Sequence, residues 1–266
     1  MAHFLDECFQ KVDWAEGLYK RFKNRSSEYF LEPDLTEIGS REEGDALIHF
    51  LRFVRPMPSD LTFLAGDILH NLRGALDHAV CALGRYRDYG EWAKLAFPFP
   101  KSAEAVDSET KAKCKKLPDA DQQFIKSLRV HGGDSGEQLL YMLHKLDLCN
   151  KHRHILRIGM SCDVPEFEFD MLGYDLQLTH ELIASGKRAL TVEHSYRLIA
   201  APALDPSTGE FAFCVTSKGH PPVKSVHSKS WMEFDYPGWS LNAQATMEAM
   251  IAEVRRVLIR LRDHAD

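Results

Sequence analysis

A chain of 266 residues with 44% hydrophobic and 27% charged side chains is long enough to bury a sizeable core and too apolar to stay disordered. Its formal net charge of -6 excludes a protein that coats nucleic acid by bulk attraction, and leaves Lys111 to Lys116 and the group Arg255, Arg256, Arg260 and Arg262 as local basic patches at most. Six cysteines without a CxxC pair do not read as a zinc ribbon or a disulfide framework.

In chain order, Phe4, Leu5, Cys8, Phe9, Val12, Ala15, Leu18, Tyr19 and Phe22 recur at steps of three and four, which predicts an amphipathic helix over 4–24. Residues 28–37 and 45–55 read as extended, with Gly39 and Gly44 supplying the turn of a β-hairpin. Ser59 is an N-cap candidate for a helix that runs to Leu83, with Gly84 in the C-cap role. Residues 88–117, including Phe97-Pro98-Phe99-Pro100, read as irregular, and helices are predicted over 118–129 and 135–156.

From Arg157 to Asp235 short runs of Val, Phe, Thr and Tyr broken by Gly, Pro and Asp predict an antiparallel sheet of about five strands. Ser240 then caps a final helix from Leu241 to Leu261. The expected fold class is α+β, as one domain. A helical bundle with an N-terminal β-hairpin occupies 1–156 and 240–266, and an antiparallel sheet is inserted at 157–238. No apolar run reaches the ~18 residues of a membrane span, and the first residues lack the basic start and apolar run of a signal peptide. The expected setting is the bacterial-type cytoplasm, with no membrane contact.

Two segments concentrate chemistry. On the helix predicted from Ser59, Asp67, His70, Asn71, Gly74, His78 and Cys81 share a stripe, with Arg73 and Asp77 beside it at ion-pair spacing. Gly74, which costs about 1 kcal/mol relative to alanine in a helix interior, suggests the close approach of another helix or a ligand. On the helix over 135–156, Asn150 continues the stripe of Leu139, Leu143 and Leu146 and should point inward, toward His70, Asn71 and His78. Lys151, His152 and Arg153 gather positive charge at that helix's end, where the macrodipole favours it and where an anion or phosphate could be held.

Arg73-Gly74-Ala75-Leu76-Asp77-His78 has the form Arg-x4-His, which resembles the motif of HEPN-type helical proteins, many of them metal-independent endoribonucleases. The wider pattern from Gly66-Asp67 through His70-Asn71-Leu72-Arg73 to Leu76-Asp77-His78, followed by Asn150-Lys151-His152-Arg153, is similar to a bacterial family of uncharacterised proteins that brings no activity with it. The HEPN resemblance implies that His78 moves protons, Arg73 holds the phosphate and Asp77 orients the guanidinium. It further implies that His70, Asn71, Asn150, Lys151, His152 and Arg153 position RNA or a nucleotide, in a homodimer, with no metal or other cofactor.

Two other classes compete. In the first, the chain is a non-catalytic binding or interaction protein whose polar helix seam is a structural lock. In the second it is a metal-dependent hydrolase drawing ligands from Asp67, His70, His78, His144, Asp147 and His152, although none of these falls into an HExxH pair.

Overall fold

The computed structural model describes residues 3–133, 138–152, 156, 158–171, 174–179, 196–198, 204–205, 209–217, 223–236 and 239–266. Among these are six α-helices and two antiparallel sheets, so the fold class is α+β. No helix among the described residues is long and apolar enough to cross a membrane.

Helix α1 spans Asp6–Phe30, past the predicted end. Its inward stripe continues from Phe22 through Ser26 to Tyr29, all buried, so 28–30 are helical rather than extended. The hairpin follows as β1 (Thr36–Glu43) and β2 (Ala46–Phe53). Gly44, with φ of 60°, makes the turn, a left-handed conformation that costs glycine nothing. Gly39 is not in the turn but in mid-strand opposite Phe50, whose ring lies over it.

Helix α2 covers Ser59–Tyr86 and buries Leu61, Ile68, Leu69, Leu72, Leu76 and Leu83. Gly84 is not its cap. Just past Tyr86, the capping residue is Asp88, which takes the left-handed conformation (φ 58°), with Tyr89 N–H on Gly84 O at 2.9 Å and Asp88 N–H on Arg85 O at 3.0 Å. Gly84 is small for another reason: a Cβ there would come within 2.4 Å of Leu95 Cδ1. The stretch expected to be irregular contains α3 (Val106–Cys114), a Lys-rich helix that buries only Thr110 and Cys114. Next come α4 (Asp119–Ser127) and α5 (Gln138–His152).

Among the described residues seven strands follow α5, the last of them past the stretch 157–235 expected to hold about five: β3 (Ile158–Met171), β4 (Tyr174–Thr179), β5 (Tyr196–Leu198), β6 (Leu204–Asp205), β7 (Glu210–Ser217), β8 (Val223–Tyr236) and β9 (Trp239–Asn242). They do not form one sheet. The first sheet runs β1-β2-β7-β5 with β6 on β7, and the second runs β4-β3-β8-β9. Helix α6 (Ala243–Ala265) closes the chain. Its cap is Asn242, whose side chain accepts the Ala245 N–H at 2.9 Å, and not Ser240, which lies in β9.

The chain divides into two compact units, one of 1–25, 59–158 and 234–266 and one of 26–58 and 159–233. The hairpin groups with the strands, because β2 pairs antiparallel with β7. In the first unit α2 packs against α5 and α6, and their buried stripes meet: Leu143 and Leu146 of α5, Met250, Val254 and Leu258 of α6. Helix α1 joins them through Tyr19 on Glu248 at 3.0 Å and Arg255 on Asp13 and Glu16, both at 2.9 Å. The core of the second unit is Leu51, Cys162, Val164, Phe211, Phe213 and Cys214.

Candidate functional site

Helices α2 and α5 run antiparallel, and three points of close approach step along them. Gly66 faces Asn150, His70 faces Asp147 and Arg73 faces His144. Steps of four and three on α2 and of three on α5 keep the groups on one seam.

At one end, a Cβ on Gly66 would lie 2.6 Å from Asn150 Nδ2, so only glycine leaves room for the amide. Asn150 Oδ1 accepts the Leu156 N–H at 3.5 Å, a side-chain closure beyond the end of α5. Asn150 therefore points inward, as its spacing predicts, but it meets Gly66 a turn away from His70 and Asn71. Asn71 instead donates to the Asp67 carbonyl of its own helix at 2.8 Å.

In the middle, His70 Nδ1 lies 3.2 Å from Asp147 Oδ1. The carboxylate is 2% exposed and the imidazole 51% exposed. A buried acid thus fixes one ring nitrogen while the other edge of the ring faces solvent.

At the far end, the Arg73 side chain is 13% exposed and its guanidinium meets three groups. One nitrogen pairs with Asp77, Nε donates to His144 Nδ1 at 3.3 Å, and the group lies 4.4 Å from the centre of the Phe99 ring. The His144 ring stacks on the same phenylalanine at 4.6 Å with 6° between planes. Burial first, then the neighbouring Arg73 charge, lowers the His144 pKa to about 4. The ring is therefore neutral at pH 7 and able to accept the arginine's hydrogen bond. Asp77 also accepts the Phe97 N–H at 3.0 Å, which pins the buried loop Phe97-Pro98-Phe99-Pro100 to α2.

His78 is exposed and diverges from Arg73. Five residues along a helix turn a side chain about 140°. Within one chain the two members of the Arg-x4-His motif are not brought together: Arg73 is in the seam and His78 is outside it. Gly74 has open space rather than a close neighbour, since a Cβ there would meet only Lys11 Nζ at 3.7 Å.

The predicted Lys151 and His152 end α5, but their side chains, and Arg153 entirely, lie outside the described residues. Among the described residues no group of three or more His, Cys, Asp or Glu is arranged to hold a metal ion.

Sequence reasoning passed over Asp147 as the partner of His70 and Phe99 and His144 as the partners of Arg73. The signal was present. His144 and Asp147 sit three apart and flank the inward Leu143 and Leu146, and a loop with two phenylalanines beside prolines is too apolar to stay in solvent. No protein-family model, no curated protein and no solved structure matches the chain.

Proposed function

We propose that the chain is a metal-independent acid–base protein acting on RNA or a nucleotide, with His70 as the group that exchanges protons. One observation carries this reading: the half-exposed His70 ring is held through Nδ1 by the buried Asp147 carboxylate. An imidazole is the side chain suited to proton exchange near neutral pH, and a carboxylate behind it fixes its orientation and tautomer. Asn71, one residue on, and His78, two turns on, occupy the solvent side of α2 and would contact the substrate. A second copy of the chain packed on this side of α2 would juxtapose the His70 and His78 edges of two molecules, and light scattering measures whether it forms.

The experiment is incubation with total RNA in EDTA, comparing wild type with His70→Ala and His78→Ala. The expected result is cleavage by wild type, loss of cleavage in His70→Ala and weakened cleavage in His78→Ala. Equal activity in all three, or dependence on an added divalent ion, rejects the proposal.

A second reading has its own support. The Arg73 guanidinium is spent on Asp77, His144 and Phe99, which is how an arginine acts when it locks elements together. On this reading the seam sets helix register and the chain is a non-catalytic binding protein. Wild type would then leave RNA intact, while Arg73→Met would lower the melting temperature.

A further inference from the structure

The second unit carries a cavity that the α2–α5 seam does not explain and on which the proposed function does not rest. It is about 430 Å³, within the range of small-ligand pockets, and is lined in part by Phe30, Asp34, Phe53, Ser228 and Ser230.

Its floor is the turn between α1 and β1. Arg55 fastens this turn, donating to the Glu32 carboxylate at 2.9 Å and to the Pro33 carbonyl at 3.1 Å, while Val54 N–H reaches Leu35 O at 2.9 Å. Asp34, held between these ties, takes a left-handed backbone with φ of 54°, which aspartate tolerates better than most residues. Glu32 has its cation in Arg55. Asp34 has no partner among the described residues, so it leaves the cavity one uncompensated negative charge.

The walls are two ring faces and two hydroxyls. Phe30 and Phe53 meet at 6.4 Å and 59°, forming a corner, and Phe53 is braced from behind by Phe211 edge-on at 5.8 Å. Ser228 and Ser230 are alternate residues of β8 and present their hydroxyls on one side of the strand.

A carboxylate, aromatic faces and hydroxyl acceptors together select a particular chemistry. Anions are repelled by Asp34. A neutral polyol can hydrogen-bond to the carboxylate but leaves its charge uncancelled. A primary alkylammonium would use everything present: its N–H donors suit the carboxylate and the hydroxyls, its charge suits the ring faces, and its methylenes would pack on the rings. We propose that this cavity binds a short primary alkylammonium compound, of the size of a diaminobutane.

The test is isothermal titration calorimetry of the full chain at low salt with 1,4-diaminobutane and, as the neutral isostere, 1,4-butanediol. The variants are Asp34→Asn, which keeps a residue at home in the left-handed region, and the double variant Ser228→Ala/Ser230→Ala. The expected result is saturable diamine binding, no binding of the diol, and affinity weakened about fivefold by Asp34→Asn. Amide shifts on titration should centre on residues 30–36 and 228–230. Equal binding of diol and diamine, an unchanged affinity in Asp34→Asn, shifts centred elsewhere, or no saturable binding overturns the proposal.

Discussion

Acidification should weaken this protein through His144, and by an amount the structure allows to be worked out. The ring lies flat on Phe99 and accepts a hydrogen bond from Arg73, so it must be neutral to hold its place. Its folded pKa is about 4, and an unfolded histidine titrates near 6.5. Because the folded value is the lower one, the unfolded chain takes up the proton first as pH falls. The stability present at neutral pH is therefore lost between about 6.5 and 4, and no further loss occurs below the folded value. At about 1.4 kcal/mol for each pKa step of one, the full displacement is worth about 3 kcal/mol, and about 2.5 kcal/mol of it is gone by pH ~4.5. The solvent-facing part of the ring makes these upper values. Other groups titrate over the same range, so the useful quantity is a difference. His144→Gln keeps an acceptor for Arg73 but removes the titration. Urea unfolding at neutral pH and at pH about 4.5 should show wild type losing about 2 kcal/mol more than His144→Gln. Parallel losses in the two proteins would refute the placement of the neutral ring beside Arg73.

Three further outcomes follow from neighbouring contacts. Arg73→Met removes the cation that helps depress His144, so proton NMR should show its titration moving upward from about 4, toward the value that burial alone imposes. Gly74→Ala, with only Lys11 Nζ near the new methyl, should stabilise by up to about 1 kcal/mol, whereas Gly84→Ala drives a methyl into Leu95 Cδ1 and against Trp92 Cβ and should destabilise by about 1–3 kcal/mol, both read by urea midpoints. Burial pushes the Cys8, Cys114 and Cys214 thiols up to about 12, so in the folded protein at mildly alkaline pH these three should resist a thiolate-seeking disulfide reagent that modifies all six cysteines once urea is added.

The helices were legible where one periodic stripe ran uninterrupted. Helix α2 shows this: its leucines at steps of three and four place it within a turn of its observed limits. Legibility failed where tertiary contacts outvoted local pattern. The apolar stripe predicts a helix end at 24, yet Tyr29 is buried and its hydroxyl donates to Arg55 O at 2.8 Å, which carries α1 onward. Helix α3 has too few apolar positions to announce itself. The partition of strands into two sheets depends on β2 finding β7 across more than half the chain, and no local window carries that information. At the site, spacing correctly turned Asn150 inward and correctly paired Arg73 with Asp77. It could not reveal that Asp147 would stand behind His70, because that pairing is set by the relative register of two helices and joins residues 77 apart in sequence.

The buried loop at Phe97–Pro100 bears on how a chain can sink a non-helical, non-sheet segment into its interior at all. Every peptide N–H taken from water needs an acceptor, and an orphan costs about 1–3 kcal/mol. Here Phe97 gives its proton to Asp77, and the carbonyl of Pro100 is taken by the Gly132 N–H at 3.1 Å. Pro98 and Pro100 have no proton to place. Half of the segment's donor problem is solved by deletion rather than by pairing. The prolines are therefore not there chiefly to bend the chain. They let two phenylalanines reach the core on a backbone that asks for fewer partners, and one of those rings becomes the platform on which Arg73 and His144 rest.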